Sequence, residues 1–338
     1  MFFDVILLLL SLFIILIGAE IFTNSVEWLG KKLDLGDGAV GSICAAVGTA
    51  LPETIIPVIA ILWSGHGSSG HDVGIGAILG APFMLATLAM FVTGVAALVK
   101  RKSNTPMNII PEVMRRDMRF FMLVYTVAIL ASFLPMWSLK LVAAAFLVCA
   151  YSFYVYQTLK SSIGKHDEEE TLPPLYFMRK ANNPPLALIL LQLAVALGIT
   201  IAGASIFVEA VQVVAVVLGV PVLILSLLIT PIATELPEKF NSIIWVLRGK
   251  DTLALGNITG AMVFQSSLIP ALGILLTEWK LEPIALLSAI LALGAIFYQY
   301  TGLGTGLGGQ HGLKPTHLLA GILFYASFIG AIFLIIYH

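Results

Sequence analysis

The chain is poor in charge. Only 11% of its 338 residues are Asp, Glu, Lys or Arg, against about 25% in an average soluble domain. Hydrophobic residues make up 59%, and the mean hydropathy is +1.00. A water-soluble globule of this length cannot hide that much apolar side chain. Cysteine is nearly missing: Cys44 and Cys149 both fall in apolar stretches, which excludes a disulfide framework and a thiolate metal site. The six histidines fall in expected loops, at a helix start or at the last position. None pairs with an acid inside an apolar run, so no zinc hydrolase or catalytic dyad is readable. No positioned nucleophile can be found, so the chain is not expected to be an enzyme, and no cofactor is expected. The formal net charge of −1 gives no footing for a nucleic-acid partner.

What the sequence has is long apolar runs separated by short polar breaks. A helix needs about 20 apolar residues to cross roughly 30 Å of hydrocarbon, and the alternating pattern of a barrel is missing. The runs predict spans at 2–22, 38–63, 73–99, 120–137, 139–157, 186–218, 220–247, 253–277, 284–299 and 317–337. The first 22 residues hold no Lys or Arg and no small-residue cleavage site, so they read as the first span and not as a removable signal peptide. The expected fold class is an all-α polytopic membrane protein with ten transmembrane helices, its partner the lipid bilayer. Basic residues gather on the cytoplasmic side of a membrane. With ten spans and the N-terminus outside, 15 of the 18 Lys and Arg lie in inner loops and only Lys140 and Lys280 in outer ones, leaving Lys239 inside a span. A multi-pass protein of the cell membrane with both termini outside is expected.

The sequence also repeats itself. Laying 18–53 on 203–238, a shift of 185 without a gap, matches Gly18/Gly203, Ala19/Ala204, Ile21/Ile206, Phe22/Phe207 and Val26/Val211. Further on it matches Leu33/Leu218 and the string Thr49, Leu51, Pro52, Glu53 on Thr234, Leu236, Pro237, Glu238. A second match sets Gly76, Gly80 and Ala81 on Gly256, Gly260 and Ala261 at a shift of 180. The predicted organisation is a first repeat over 1–158, a cytoplasmic loop over 159–184 and a second repeat over 185–338. Each half holds five spans, an odd number, so the second half runs through the bilayer in the opposite sense. Inverted repeats are characteristic of alternating-access transporters.

Ionisable groups at bilayer depth cost several kcal/mol and mark function more often than accident. Glu53 and Glu238 each fall near the middle of a span, each after a Pro, and each four residues after a Thr. That spacing puts Thr49 with Glu53, and Thr234 with Glu238, on one helix face, and an inverted axis brings the two faces together at the midplane. Pro52 and Pro237 donate no backbone bond and obstruct the carbonyls of Gly48 and Ala233. Two carboxylates, two hydroxyls and freed carbonyls make an all-oxygen cage suited to a hard cation. Small cations are the expected substrates.

The strings Gly48-Thr49-Ala50-Leu51-Pro52-Glu53 and Ala233-Thr234-Glu235-Leu236-Pro237-Glu238 resemble the two alpha-repeat motifs of the sodium/calcium exchanger family, in the cation/calcium exchanger superfamily. The stretch Gly256-Asn257-Ile258-Thr259-Gly260 is similar to the second part of that motif. The resemblance implies Ca2+ and Na+ sites between the second, third, seventh and eighth helices, with the first and sixth sliding across them. It implies acidic Ca2+ ligands at Glu53 and Glu238, Thr ligands at Thr49 and Thr234, and backbone carbonyl ligands near Ala46 and Pro231. The chain departs from the pattern at Ala50, Glu235, Ala81, Ala261, Leu85 and Gln265, where the family has Ser, Asn or Asp. Most side-chain oxygens of the Na+ sites are thereby lost, and one carboxylate is gained. Three carboxylates around one divalent ion leave surplus negative charge, which a proton or another cation would balance.

The expected function is a secondary-active antiporter exchanging Ca2+ for Na+ or H+, a monomer being able to function. The alternatives are an exchanger of another cation or a passive channel, which would show steady currents without a counter-ion. Glu235 either lines the cage or pairs with Lys239 or another helix. Gln265 either lines it or bonds between helices. Gly76, Gly80, Gly256 and Gly260 are expected mainly to let helices approach. Glu20, Asn24 and Glu209 either line a permeation path or lie near the membrane interface, and the second is expected. The run 167–170 is expected to be a solvated acidic patch rather than a Ca2+ sensor, and 302–312 a flexible loop and not a phosphate cradle.

Overall fold

The computed structural model describes residues 2–32, 51–63, 68–102, 104–162, 172–179, 183–303 and 312–337, and among these there is no strand. The helices are α1 (Phe2–Lys32), α2 (Leu51–Trp63), α3 (Ser68–Met84), α4 (Met90–Arg101), α5 (Pro111–Ala131) and α6 (Trp137–Ser162). The second half holds α7 (Leu186–Leu218), α8 (Val222–Leu247), α9 (Asp251–Leu276), α10 (Pro283–Gly302), α11 (Pro315–Leu319) and α12 (Gly321–Tyr337). A π-helical turn, Leu85–Ala89, joins α3 to α4 as one rod. Gln299 of α10 covers that turn, donating to Ala86 O at 3.0 Å.

Local chemistry sets the helix ends. Pro111, Pro283 and Pro315 open α5, α10 and α11 at the first turn, where no amide donor is needed. Gly219, at φ 66°, closes α7 in the left-handed region that a side chain disfavours. Asp251, buried at the start of α9, pairs with Arg101 at the end of α4 and accepts from Asn108 N at 2.7 Å. An anion at a helix N-terminus also complements the helix dipole.

Described helical residues overlie every apolar run, with shifted edges. The run expected at 120–137 starts earlier, at Pro111, because the charged turns before it are helical and bury Met114, Asp117 and Met118. The last run breaks between α11 and α12, where Gly321 lies against the carbonyl of Thr87. Of the run at 38–63, only 51–63 lies within the described residues. Among the described residues, seven helices are long and apolar enough to cross a membrane, counting α3–α4 and α11–α12 as one each. The described parts of α2 and α8 supply shorter apolar helices, Leu51–Leu62 and Val222–Ile232.

Buried side chains form one large core over α3–α6 and α8–α12 and a second, smaller one shared by α1, α2, α3, α7 and α8. Val142, Phe153, Leu323 and Leu334 instead point outward from α6 and α12, a surface that hydrocarbon solvates and water would not.

The most extensive helix contact is between α1 and α7. A Cβ on Gly18 would overlap Thr200 Oγ1, and one on Gly203 would stand 2.9 Å from Ile15 Cγ1. Gly18 and Gly203, like Ile15 and Thr200, are separated by the same shift of 185 that aligns the sequence halves. The contact is therefore reciprocal: each glycine receives the side chain that, at the shift of 185, is aligned with the one the other glycine receives. Small residues permit such close backbone approach within membranes.

Candidate functional site

Four helices, α2, α3, α8 and α9, each touch the other three. The contact of α3 with α8 depends on Gly76 and Gly80. A Cβ at Gly76 would stand 2.8 Å from Leu223 O, and one at Gly80 would overlap Leu227 O and come within 2.7 Å of the Pro231 ring. Pro231 has no amide to give to Leu227 O, its partner four residues back. The freed carbonyl is the one pressed on Gly80. Gly76 and Gly80 thus have the helix-approach role expected of them. A Cβ at Gly260 would make only an ordinary contact, 3.7 Å from Tyr154 OH.

A polar stripe runs along α8 at four-residue spacing. Ser226 Oγ donates to Val73 O of α3 at 2.8 Å and lies 3.2 Å from Thr230 Oγ1, and Thr234 Oγ1 donates to Thr230 O at 3.1 Å. All three are buried. Next to Thr234, the carboxylate of Glu235 is 2% exposed and accepts a hydrogen bond from Gln265 Nε2 of α9. Gln265 is itself buried, and its Oε1 has no hydrogen-bond partner among the described residues. On α2, Glu53 is buried in the first described turn, after the buried Pro52.

The expected site residues are thus placed unevenly. Thr234, Glu235, Gln265 and Pro231 lie at the junction of α8 with α9 and α3, and Glu53 is buried on α2. The backbone of Glu238 continues α8 four residues beyond Thr234, but its side chain lies outside the described residues, as do Ala46 and Thr49 entirely. Gln265 makes a bond between helices, and Glu235 is its acceptor. Ala81 and Leu85 are buried carbon side chains at the positions that depart from the motif, and Leu85 opens the π turn. Thr259, within the similar stretch of α9, donates to Asp117 Oδ2 of α5 at 2.8 Å. Asp117 Oδ1 is held by Arg116 at 2.9 and 3.0 Å. Among the described residues no group of three or more His, Cys, Asp or Glu could hold a metal ion.

Two features escaped the sequence reading. Ser226 and Thr230 continue the polar stripe of Thr234 along α8, a signal available in the four-residue spacing of hydroxyls. Asp117 is a buried carboxylate that the charged turns of α5 disguised as surface.

The family profile described as "Sodium/calcium exchanger protein" matches residues 3–160 and 188–337. The chain belongs to that family. It is 25% identical over 282 residues to "Inner membrane protein YrbG" of Escherichia coli (strain K12), covering 82% of each chain. It is 27% identical over 285 residues to "Putative antiporter CaxA" of Alkalimonas amylolytica, covering 83% of each. Its fold resembles the solved H+/Ca2+ exchanger CAX, with TM-score 0.73 and 16% identity over 98% of this chain and 84% of the other. It also resembles the sodium-calcium exchanger NCX_Mj, with TM-score 0.55 and 19% identity over 98% of each. These comparisons and the apolar helices make this exchanger-family member a multi-pass membrane protein.

Proposed function

We propose that the protein is a secondary-active antiporter that carries Ca2+ against Na+ or H+ by alternating access at a carboxylate site between α2, α3, α8 and α9. The observation that carries this reading is the buried Glu235, bonded to Gln265 across α8 and α9 beside Thr234. Family membership and the exchange activities named for CAX and NCX_Mj support calcium antiport as the class.

In this reading ten crossings form two inverted repeats, 1–158 and 185–338, and the inner side carries most of the Lys and Arg. The reciprocal Gly18 and Gly203 contacts support the repeat. Glu53 and Glu238 supply the acidic ligands, with Thr49, Thr234 and backbone carbonyls near Ala46 and Pro231. The pair α1 and α7 slides over the four-helix site.

Proton coupling is favoured over sodium by one observation. Ala81 and Leu85 offer no side-chain oxygen, whereas Glu235 adds a buried carboxylate held by Gln265. A surplus carboxylate can exchange a proton where a Na+ ion would need several oxygens.

Uptake of radioactive Ca2+ into proteoliposomes, driven by an imposed pH or Na+ gradient, tests the proposal. The pH gradient is expected to drive uptake, and Glu53→Gln and Glu238→Gln to abolish it. A folded protein that moves no Ca2+ under either gradient overturns the calcium assignment.

A further inference from the structure

Residues 172–178 lie across the end of α1 and the start of α7. The segment contains Pro173 and Pro174, whose nitrogens carry no hydrogen, so each offers only a carbonyl acceptor. Donors reach those carbonyls from α1. Trp28 Nε1 donates to Pro173 O at 2.9 Å, and Asn24 Nδ2 lies 3.4 Å from Pro173 O and from Pro174 O. The segment donates in return, from Tyr176 N to Asn24 Oδ1 at 3.3 Å and from Phe177 N to Gln192 Oε1 of α7 at 2.8 Å.

The two side-chain amides then close on each other. Gln192 Nε2 donates to Asn24 Oδ1 at 3.0 Å and also lies 2.9 Å from Ser25 Oγ and 3.2 Å from Ile21 O, all on α1. Gln192 is fully buried and Asn24 is 3% exposed, so these bonds are made away from water, where an unmet amide is costly. Leu175 is buried with Trp28 of α1 and Ile189 of α7 in a small apolar cluster separate from the two larger cores. One short segment therefore satisfies both helices at once, through polar bonds and through apolar burial.

Each of these contacts runs to α1 or to α7, the pair already brought together at Gly18 and Gly203. A latch would tie that pair to the four-helix site and would speed transport when broken. A brace within the pair does the opposite. We propose that segment 172–178 is a strap that locks α1 and α7 into one moving body, with Asn24 and Gln192 as its positioning residues. Its consequence for transport rests on the antiporter reading; its mechanical role does not.

The test uses the full chain in lipid nanodiscs and proteoliposomes, comparing the parent with Gln192→Ala, Asn24→Ala and Trp28→Phe. Trp28→Phe keeps a ring in the cluster and deletes only the bond to Pro173. Hydrogen–deuterium exchange is expected to rise together in 172–178, at the end of α1 and at the start of α7 in Gln192→Ala and Asn24→Ala, with smaller rises in Trp28→Phe. Exchange in α9 should be unchanged, which marks the protein as folded. Ca2+ uptake is expected to fall in turnover by about tenfold in the two amide variants, the scale of a lost buried hydrogen bond, with KM within about twofold of the parent. Unchanged exchange in 172–178, or a rise confined to one of the three regions, overturns the strap. Joint exchange with unchanged or faster uptake overturns its role in coupling. A parent that carries no Ca2+ defeats the antiporter reading alone, and the exchange result still decides whether the strap locks the pair.

Discussion

Glu235 and Gln265 share a hydrogen bond inside a bundle built for hydrocarbon, where a carboxylate without partners is costly. Replacing Gln265 with Ala removes one of the carboxylate's partners and is expected to cost about 1.5–3 kcal/mol, the range for hydrogen bonds to charged groups. Scanning fluorimetry in detergent should register a lowered melting temperature, and an unchanged one would mean that the bond is not formed. Glu235→Gln should melt near the parent, since an amide still accepts from Gln265, while uptake driven by a pH gradient falls by more than about tenfold. Each residue was conspicuous in the sequence, one as an extra acid in a motif and the other as an amide in an apolar run. Their pairing was not, because it depends on the rotation of α8 against α9. Asp117 makes the same point in reverse. Its neighbours Arg116 and Arg119 read as surface, and only the fold sets its carboxylate against Thr259 of a distant helix.

At the scale of elements, the chain relies on glycine where helices meet and on proline where carbonyls are freed. Gly80→Ala would put a methyl group into Leu227 O and the Pro231 ring, neither of which can rotate away, so a loss of about 1–3 kcal/mol is expected. Gly203→Ala meets the flexible side chains of Ile14 and Ile15 first and should cost less. Thermal denaturation of the two variants side by side checks the order, and a Gly203→Ala variant that proves the weaker would contradict the close α3–α8 contact at Gly80. The four-residue spacing of Gly76 and Gly80 made close approach readable in advance. The partner surface was not readable, because nothing in a glycine pair names the proline that faces it.

For the whole molecule, the proposed topology has a direct check. In a background with Cys44→Ser and Cys149→Ser, Lys280→Cys should react with a membrane-impermeant maleimide added outside intact cells. Lys250→Cys should react only after the membrane is opened. Labelling of both from outside would overturn the arrangement of the second half. What the sequence by itself determined is the solvent of the fold, the helical class, the matched residues at a shift of 185 and the acidic positions near Pro52 and Pro237. Each of these follows from composition, run length or identity at a fixed offset, which are properties of one dimension. Tertiary structure alone decided that Gly18 faces Thr200 while Gly203 faces Ile15, that Gln265 serves Glu235, and that Pro173 and Pro174 are held by Asn24 and Trp28. Those partners lie 30 to 188 residues apart in the chain, and their meeting depends on the rotation and depth of whole helices, which hydrophobic periodicity leaves open because a bilayer solvates every apolar face alike.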